Sequence, residues 1–252
     1  MSIEFDFKGQ TVLVTGSTRG IGAAIVKDFI RAQANVIITG HDEEELKQVQ
    51  EHYIANGIMN IQYYHLEFTD DDSLNAFLKG ISGIERLDIC INNAGTNRNN
   101  YIDETLIDDY NYLQQVNLKA PFLICREISK IMKKQNYGRI VNIASIWGVI
   151  SRPKRSIYSL TKFGLVGLTK AMAADLAPHG VLVNAVSPGF TLTELTRNTV
   201  TEEEIKVLSD MIPMQRFAEP EEISKIVLFL SSSLNTYVTG QNIIIDGGFT
   251  SV

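Results

Sequence analysis

Cysteine is nearly absent from this chain: its 252 residues hold two, Cys90 and Cys125, both in apolar stretches and neither in a Cys-x-x-Cys pair. Both are expected to pack as small hydrophobes. The four histidines, at 41, 52, 65 and 179, are scattered, so no metal site is expected. Basic residues are also short, 23 Lys and Arg against 29 Asp and Glu for a net charge of −6. That balance argues against nucleic acid or an anionic membrane as the main partner. Apolar runs such as Val181–Val186 are too short to span a bilayer. The N-terminus lacks a basic-plus-apolar signal region, and a cytoplasmic location is the expectation. No repeat, low-complexity tract or linker divides the chain, which suits one large α/β domain over residues 1–252.

What is present is an alternation of short apolar runs with longer amphipathic ones, the pattern of a parallel sheet with helices on both faces. Strands are expected at Thr11–Thr15, Asn35–Thr39, Asn60–His65, Leu87–Asn92, Arg139–Ala144, Val181–Ser187 and Asn242–Asp246. Helices fit between them, at Ile21–Gln33, Asp42–Asn56, Asp71–Gly80, Ile107–Gln135, Tyr158–Ala177 and Pro220–Leu230. The long segment without a strand, Phe190–Phe217, reads as a substrate lid or binding loop.

Two motifs carry chemistry. The first strand runs into Thr15-Gly16-Ser17-Thr18-Arg19-Gly20-Ile21-Gly22 and then a helix. Such a turn lets the backbone approach a pyrophosphate resting on the helix N-terminus. An NAD-binding chain of this layout places an acid at the end of the second strand. Here that stretch is Thr39-Gly40-His41, with no acid before Asp42, while Arg19 stands in the turn itself. The combination favours NADP(H) over NAD(H), since a cation can meet a 2′-phosphate; the alternative is that Arg19 is solvated and Asp42 caps the next helix.

The second motif is Tyr158-x-x-x-Lys162 with Ser145 upstream. On a helix, positions i and i+4 share a face. A neighbouring ammonium is expected to lower the phenol's pKa and make it a usable general acid or base. Asn117 interrupts the apolar face of a long helix, where a backbone or water-binding role competes with a merely tolerated polar residue.

Together these residues, with Asn92-Asn93-Ala94-Gly95 and Pro188-Gly189, resemble the classical short-chain dehydrogenase/reductase family along essentially the whole chain. The resemblance implies a single-domain Rossmann-type doubly wound parallel sheet with strand order 3-2-1-4-5-6-7. It also implies hydride transfer between a nicotinamide and a small-molecule carbonyl or alcohol. By position it implies that Tyr158 exchanges the proton, Lys162 lowers its pKa and holds the nicotinamide ribose, and Ser145 bonds the substrate oxygen. Asn117 would hold a water leading to Lys162. Gly16, Thr18, Arg19, Gly20, Ile21 and Gly22 match the phosphate cradle, and Thr39 and His41 flank the 2′-phosphate position. Glu67 and Phe68 match the adenine-contacting pair, although Glu67 replaces the usual Asp or Asn. Asn93, Ala94 and Gly95 line the adenosine ribose side, while Pro188, Gly189, Thr191 and Thr193 lie at the nicotinamide. A homotetramer, built through the helices of Asn117 and Tyr158 and the C-terminal strand, is implied as well.

Within the family the pattern is most similar to 3-oxoacyl-[acyl-carrier-protein] reductases, which makes a carrier-linked thioester the leading substrate. The cations expected to meet the carrier's acidic surface are missing at Gln135-Asn136-Tyr137 and Pro178-His179, although Lys133 and Lys134 lie nearby. The loop Arg152-Pro153-Lys154-Arg155, with Trp147, points instead to an anionic hydroxy acid, sugar or polyol. The competing reading of that loop is a solvated rim, with Trp147 filling the core. A non-catalytic NADP-binding regulator is the remaining alternative, and the presence of both Tyr158 and Lys162 weighs against it.

Overall fold

The computed structural model describes residues 5–252. Within them, β1 (Thr11–Val14), β2 (Asn35–Gly40), β3 (Ile61–His65), β4 (Ile89–Asn92), β5 (Gly138–Ile143), β6 (Val181–Pro188) and β7 (Asn242–Ile245) form one parallel sheet of order β3-β2-β1-β4-β5-β6-β7. The expected order is the one observed.

Alternate residues of the central strands feed two separate cores. Leu13, Ile37, Cys90, Ile140 and Val183 point to one face, with α3 (Asp71–Ser82), α5 (Ala120–Gln135) and α6 (Ser156–Leu176). Val12, Val14, Val36, Ile38, Ile89, Ile91 and Val141 point to the other, with α1 (Gly20–Arg31), α2 (Glu43–Ala55) and α9 (Pro220–Ser231). A parallel sheet covered on both faces needs apolar residues at both parities, which is why these strands read as continuous apolar runs. Cys90 and Cys125 are buried on the first face, and burial pushes the Cys125 thiol up to about 12. Both behave as hydrophobes.

β1 pairs with both β2 and β4, so the chain direction of the crossovers reverses there. A crevice opens beyond the carboxyl ends of strands at such a point, and ligands bind in it.

The long helix expected over Ile107–Gln135 is interrupted. It divides into α4 (Ile107–Gln114), a π turn at Gln115–Lys119, and α5. Pro121 is the physical reason, because it has no N–H to offer the carbonyl of Asn117 four residues back. The helix absorbs the loss by widening, and the Ala120 N–H donates to the Gln115 carbonyl instead.

The strandless segment Phe190–Phe217 holds two short helices, α7 (Glu194–Thr199) and α8 (Glu202–Asp210). Each has a threonine cap: the hydroxyl of Thr193 accepts from the Thr196 N–H, and that of Thr201 from the Glu204 N–H. Thr201 and Glu204 complete a reciprocal capping box. The segment returns to the sheet edge through a parallel bridge between Thr191 and Ala218.

Candidate functional site

The turn after β1 is shaped by close approach. Gly16 and Gly20 adopt φ of 58° and 59°, which only glycine accommodates readily. A Cβ on Gly16 would stand 2.8 Å from the Ala94 backbone, and one on Gly22 2.5 Å from Asn93 Nδ2. Asn93 locks the turn by donating from Nδ2 to the carbonyls of Thr15 (3.0 Å) and Gly16 (2.8 Å). Arg19, at the N-cap of α1, makes no side-chain capping bond. The first N–H groups of that helix therefore face the crevice uncapped, an arrangement suited to a pyrophosphate. These residues fit a dinucleotide.

Beside the turn, the geometry departs from expectation at Thr39. Its side chain is buried, and its hydroxyl accepts from the Gly16 N–H at 3.1 Å. Thr39 thus braces the turn from beneath. His41 is exposed, and Asp42 does cap α2, accepting from the Glu45 N–H at 2.9 Å. Arg19 is not simply solvated: its Nη1 lies 3.6 Å from Glu45 Oε1, a partner that sequence spacing does not reveal.

Of the adenine-side pair, Glu67 directs its carboxylate at its own loop, accepting from the N–H (2.8 Å) and hydroxyl (2.7 Å) of Thr69. The Phe68 ring packs in the core with Leu74 and Phe77. Its backbone, and not its ring, is the part that can border a ligand.

Ser145, Tyr158 and Lys162 meet in a cleft of about 320 Å³ with Ile21, Asn93 and Gly95 on the cradle side, and Pro188, Gly189, Thr191 and Thr193 from the end of β6. Gly148 lets the Ser145 segment lie against α6, since a Cβ there would sit 2.9 Å from the Lys162 carbonyl. Lys162 is 3% exposed and its Nζ donates to the Ile143 carbonyl at 2.9 Å. Burial lowers its pKa to about 8. The ammonium lies 5.7 Å from the Tyr158 ring centroid.

The expectation of a lowered Tyr158 pKa is overturned. Burial raises it above the usual phenol value, and the hydrogen bond with Ser145 and the charge of Arg155 only partly offset that. The i+4 spacing pointed to Lys162, whereas the charge that acts on the phenol is that of Arg155, and spacing gave no measure of the desolvation that works against the phenolate.

Asn117 is fully buried beside this cleft. Its Oδ1 accepts from the Thr96 N–H at 2.8 Å, while Nδ2 donates to the Thr96 carbonyl (2.9 Å) and the Thr161 hydroxyl (3.1 Å). The side chain therefore stitches the loop after β4 to α6. A Cβ on Gly95 would lie 3.3 Å from Lys162 Nζ and 3.5 Å from Asn117 Oδ1, so both residues border that glycine. Pro121 has no N–H to offer the Asn117 main-chain carbonyl four residues back. An Asn-x-x-x-Pro spacing inside a helix would have revealed this in the sequence.

At the cleft mouth the three substrate candidates separate. Trp147 is 7% exposed and meets Phe190 and Phe249 edge-on at 6.4 and 6.3 Å. Arg152 and Arg155 lie over its ring at 4.9 and 5.7 Å. Trp147 lines the cleft, with its ring largely covered by these neighbours. Arg152 is exposed outside the cleft lining, whereas Arg155 lines the cleft, held by Asn99 Oδ1. Burial, reinforced by Arg152, lowers the Arg155 pKa. Asn97, Ile143 and Ala144 also line the cleft, as do Phe190, Thr196 and Phe217 from the segment read in the sequence as a binding loop. Lys133 and Lys134 end α5 just before the amino end of β5, whereas Ser145 follows that strand's carboxyl end. Among the described residues no helix is long and apolar enough to cross a membrane.

Comparison with known proteins converges with this geometry. Residues 16–250 match the family profile described as Enoyl-(Acyl carrier protein) reductase. The chain is 40% identical to the 3-oxoacyl-[acyl-carrier-protein] reductase FabG of Aquifex aeolicus, over 98% of this chain and 99% of that one. It is 35% identical to the gluconate 5-dehydrogenase of Gluconobacter oxydans, over 98% of this chain and 96% of that one. Among solved structures, the gluconate 5-dehydrogenase of Burkholderia cenocepacia in complex with NADP and tartrate is similar with a TM-score of 0.90. It is 29% identical, and the match covers 98% of both chains. The chain belongs to the short-chain dehydrogenase/reductase family and is an NAD(P)-dependent oxidoreductase acting on CH–OH or C=O groups.

Proposed function

We propose that the chain is an NADP(H)-dependent reductase of a 3-oxoacyl thioester. The observation that carries this reading is the 40% identity to a 3-oxoacyl-[acyl-carrier-protein] reductase over nearly the full length of both chains. NADP(H) preference is supported by Gly40 at the end of β2, where an acid would hold a ribose hydroxyl, and by Arg19 beside it. The dinucleotide, when bound, supplies the hydride for reduction or accepts it in the reverse direction.

The residues around it do the rest. The Ser145 and Tyr158 hydroxyls hold the substrate oxygen between them, and the raised pKa of Tyr158 keeps its phenol protonated at neutral pH, the state a proton donor needs. The Lys162 ammonium favours the phenolate left behind and so draws the proton transfer forward. The freed carbonyl of Asn117 holds a water that returns the proton towards Lys162. Phe190–Phe217, with α7 and α8, acts as the lid. Tyr110, Phe122, Leu160 and Phe163 on α4, α5 and α6 are exposed apolar residues, and they support a homotetramer built on those helices, testable by light scattering.

A second reading has its own observation. Arg155 lines the cleft with Tyr158, where it would bind the carboxylate of a hydroxy acid. Steady-state rates with a 3-oxoacyl thioester and with gluconate, for the parent chain and Arg155→Met, separate the two. The thioester reading expects turnover of the thioester that changes by less than about threefold in the variant. Turnover of gluconate alone, lost by about a hundredfold in the variant, would replace it.

A further inference from the structure

Two carboxylates stand at the corner where the ends of β1 and β2 meet α2: Asp42, whose charge is felt by Arg19 and His41, and Glu45, which lies in direct contact with Arg19. Glu45, in the first turn of α2, accepts a hydrogen bond from the Thr18 hydroxyl at 2.9 Å, and its other oxygen lies 3.6 Å from Arg19 Nη1. Its side chain is 25% exposed against 51% for Arg19, so the acid is the better anchored partner. Gly40 packs against Thr18 from the opposite side, where a Cβ would stand 2.7 Å from Thr18 Cγ2. Asp42 is committed to the Glu45 N–H. The two side chains of the cradle able to meet a 2′-phosphate, Thr18 and Arg19, are therefore both held by Glu45.

We infer that Glu45 sets how strongly this chain discriminates between NADPH and NADH, standing in for the 2′-phosphate in the free protein and competing with it when it arrives. The inference rests on the proposal that NADP(H) is the cofactor. A 2′-phosphate must take Arg19 from Glu45 and accept a like charge beside it, whereas a 2′-hydroxyl does neither. Arg19 is half exposed and its 3.6 Å contact with Glu45 is loose, a pairing of modest strength, so Arg19 can leave it. The competition weakens NADPH binding without preventing it. Glu45→Gln keeps an oxygen for the Thr18 hydroxyl and removes only the charge.

Fluorescence titration of NADPH and NADH against the parent chain, Glu45→Gln, Arg19→Ala and the double variant tests this directly. Glu45→Gln is expected to tighten NADPH by about fivefold while moving NADH by less than about twofold. The gain should disappear in the Arg19→Ala background, because the two residues act as a pair. NADH binding also reports that each variant is folded. Equal shifts for both nucleotides, an unchanged or weaker NADPH affinity, or a gain that persists in full without Arg19 would each overturn the inference. A parent chain that binds NADH more tightly than NADPH would instead refute NADP(H) preference, and leave the role of Glu45 standing if Glu45→Gln still moves NADPH alone.

Discussion

Replacing Lys162 with Met should make the fold's stability less dependent on pH while removing the ammonium the chemistry needs. In the unfolded chain that ammonium keeps its proton up to 10.5, and in the folded chain only to about 8. Below both values each state is protonated, and the folded state carries the full burial cost, about 3 kcal/mol. Between them the unfolded state binds more protons, so the stability of the parent chain rises with pH. Lys162→Met has no such slope. It does lose the bond to the Ile143 carbonyl, a loss of about 1–3 kcal/mol that does not vary with pH. The stability difference between the two proteins should therefore change by about 2 kcal/mol from roughly pH 7 to roughly pH 9.5, in favour of the parent chain. For a chain of this size that is about 4–8 °C in the difference of their melting temperatures. Thermal unfolding of both proteins at the two pH values reads it, with all other titrations cancelling in the comparison. A difference that stays flat with pH would show that Lys162 is not desolvated, and the electrostatic account of the site would fail.

Other outcomes follow from the same geometry. The kcat/KM for reduction should fall as pH rises through about 8, because Lys162 then loses its charge; a profile flat to well above that value would contradict it. Pro121→Ala gives Asn117 back its i+4 donor, and kcat should drop about tenfold with the melting temperature unchanged or higher. If NADPH and substrate bind and hydrogen exchange across Phe190–Phe217 does not slow, that segment is no lid.

The sheet was legible in the sequence because its strands are short apolar runs such as Val12-Leu13-Val14 and Val36-Ile37-Ile38, whose alternate residues feed the two cores. Ser145, Tyr158 and Lys162 were legible because chemistry confines them to a fixed spacing on one helix and the strand end beside it. What stayed hidden depends on contacts between distant segments or on burial. Thr39 looked available until its hydroxyl was found beneath Gly16. Glu45 looked like one acid among several at the start of α2 until Thr18 and Arg19 were seen to converge on it. The sequence left the Trp147 ring either free for a ligand or packed in the core, and the arginines and phenylalanines around it favour packing. The π turn and the capping box of α8 were a different kind of miss, since Pro121, Thr201 and Glu204 announce both in the sequence itself.

The central claim is that Tyr158 donates the proton when this chain reduces a 3-oxoacyl thioester with NADPH. Following nicotinamide absorbance with a short 3-oxoacyl thioester, for the parent chain and Tyr158→Phe side by side, tests it most directly. The account predicts steady NADPH oxidation by the parent chain, falling at least about a hundredfold in the variant. Oxidation at equal rates in the two proteins, or none in either while gluconate is turned over, would contradict it.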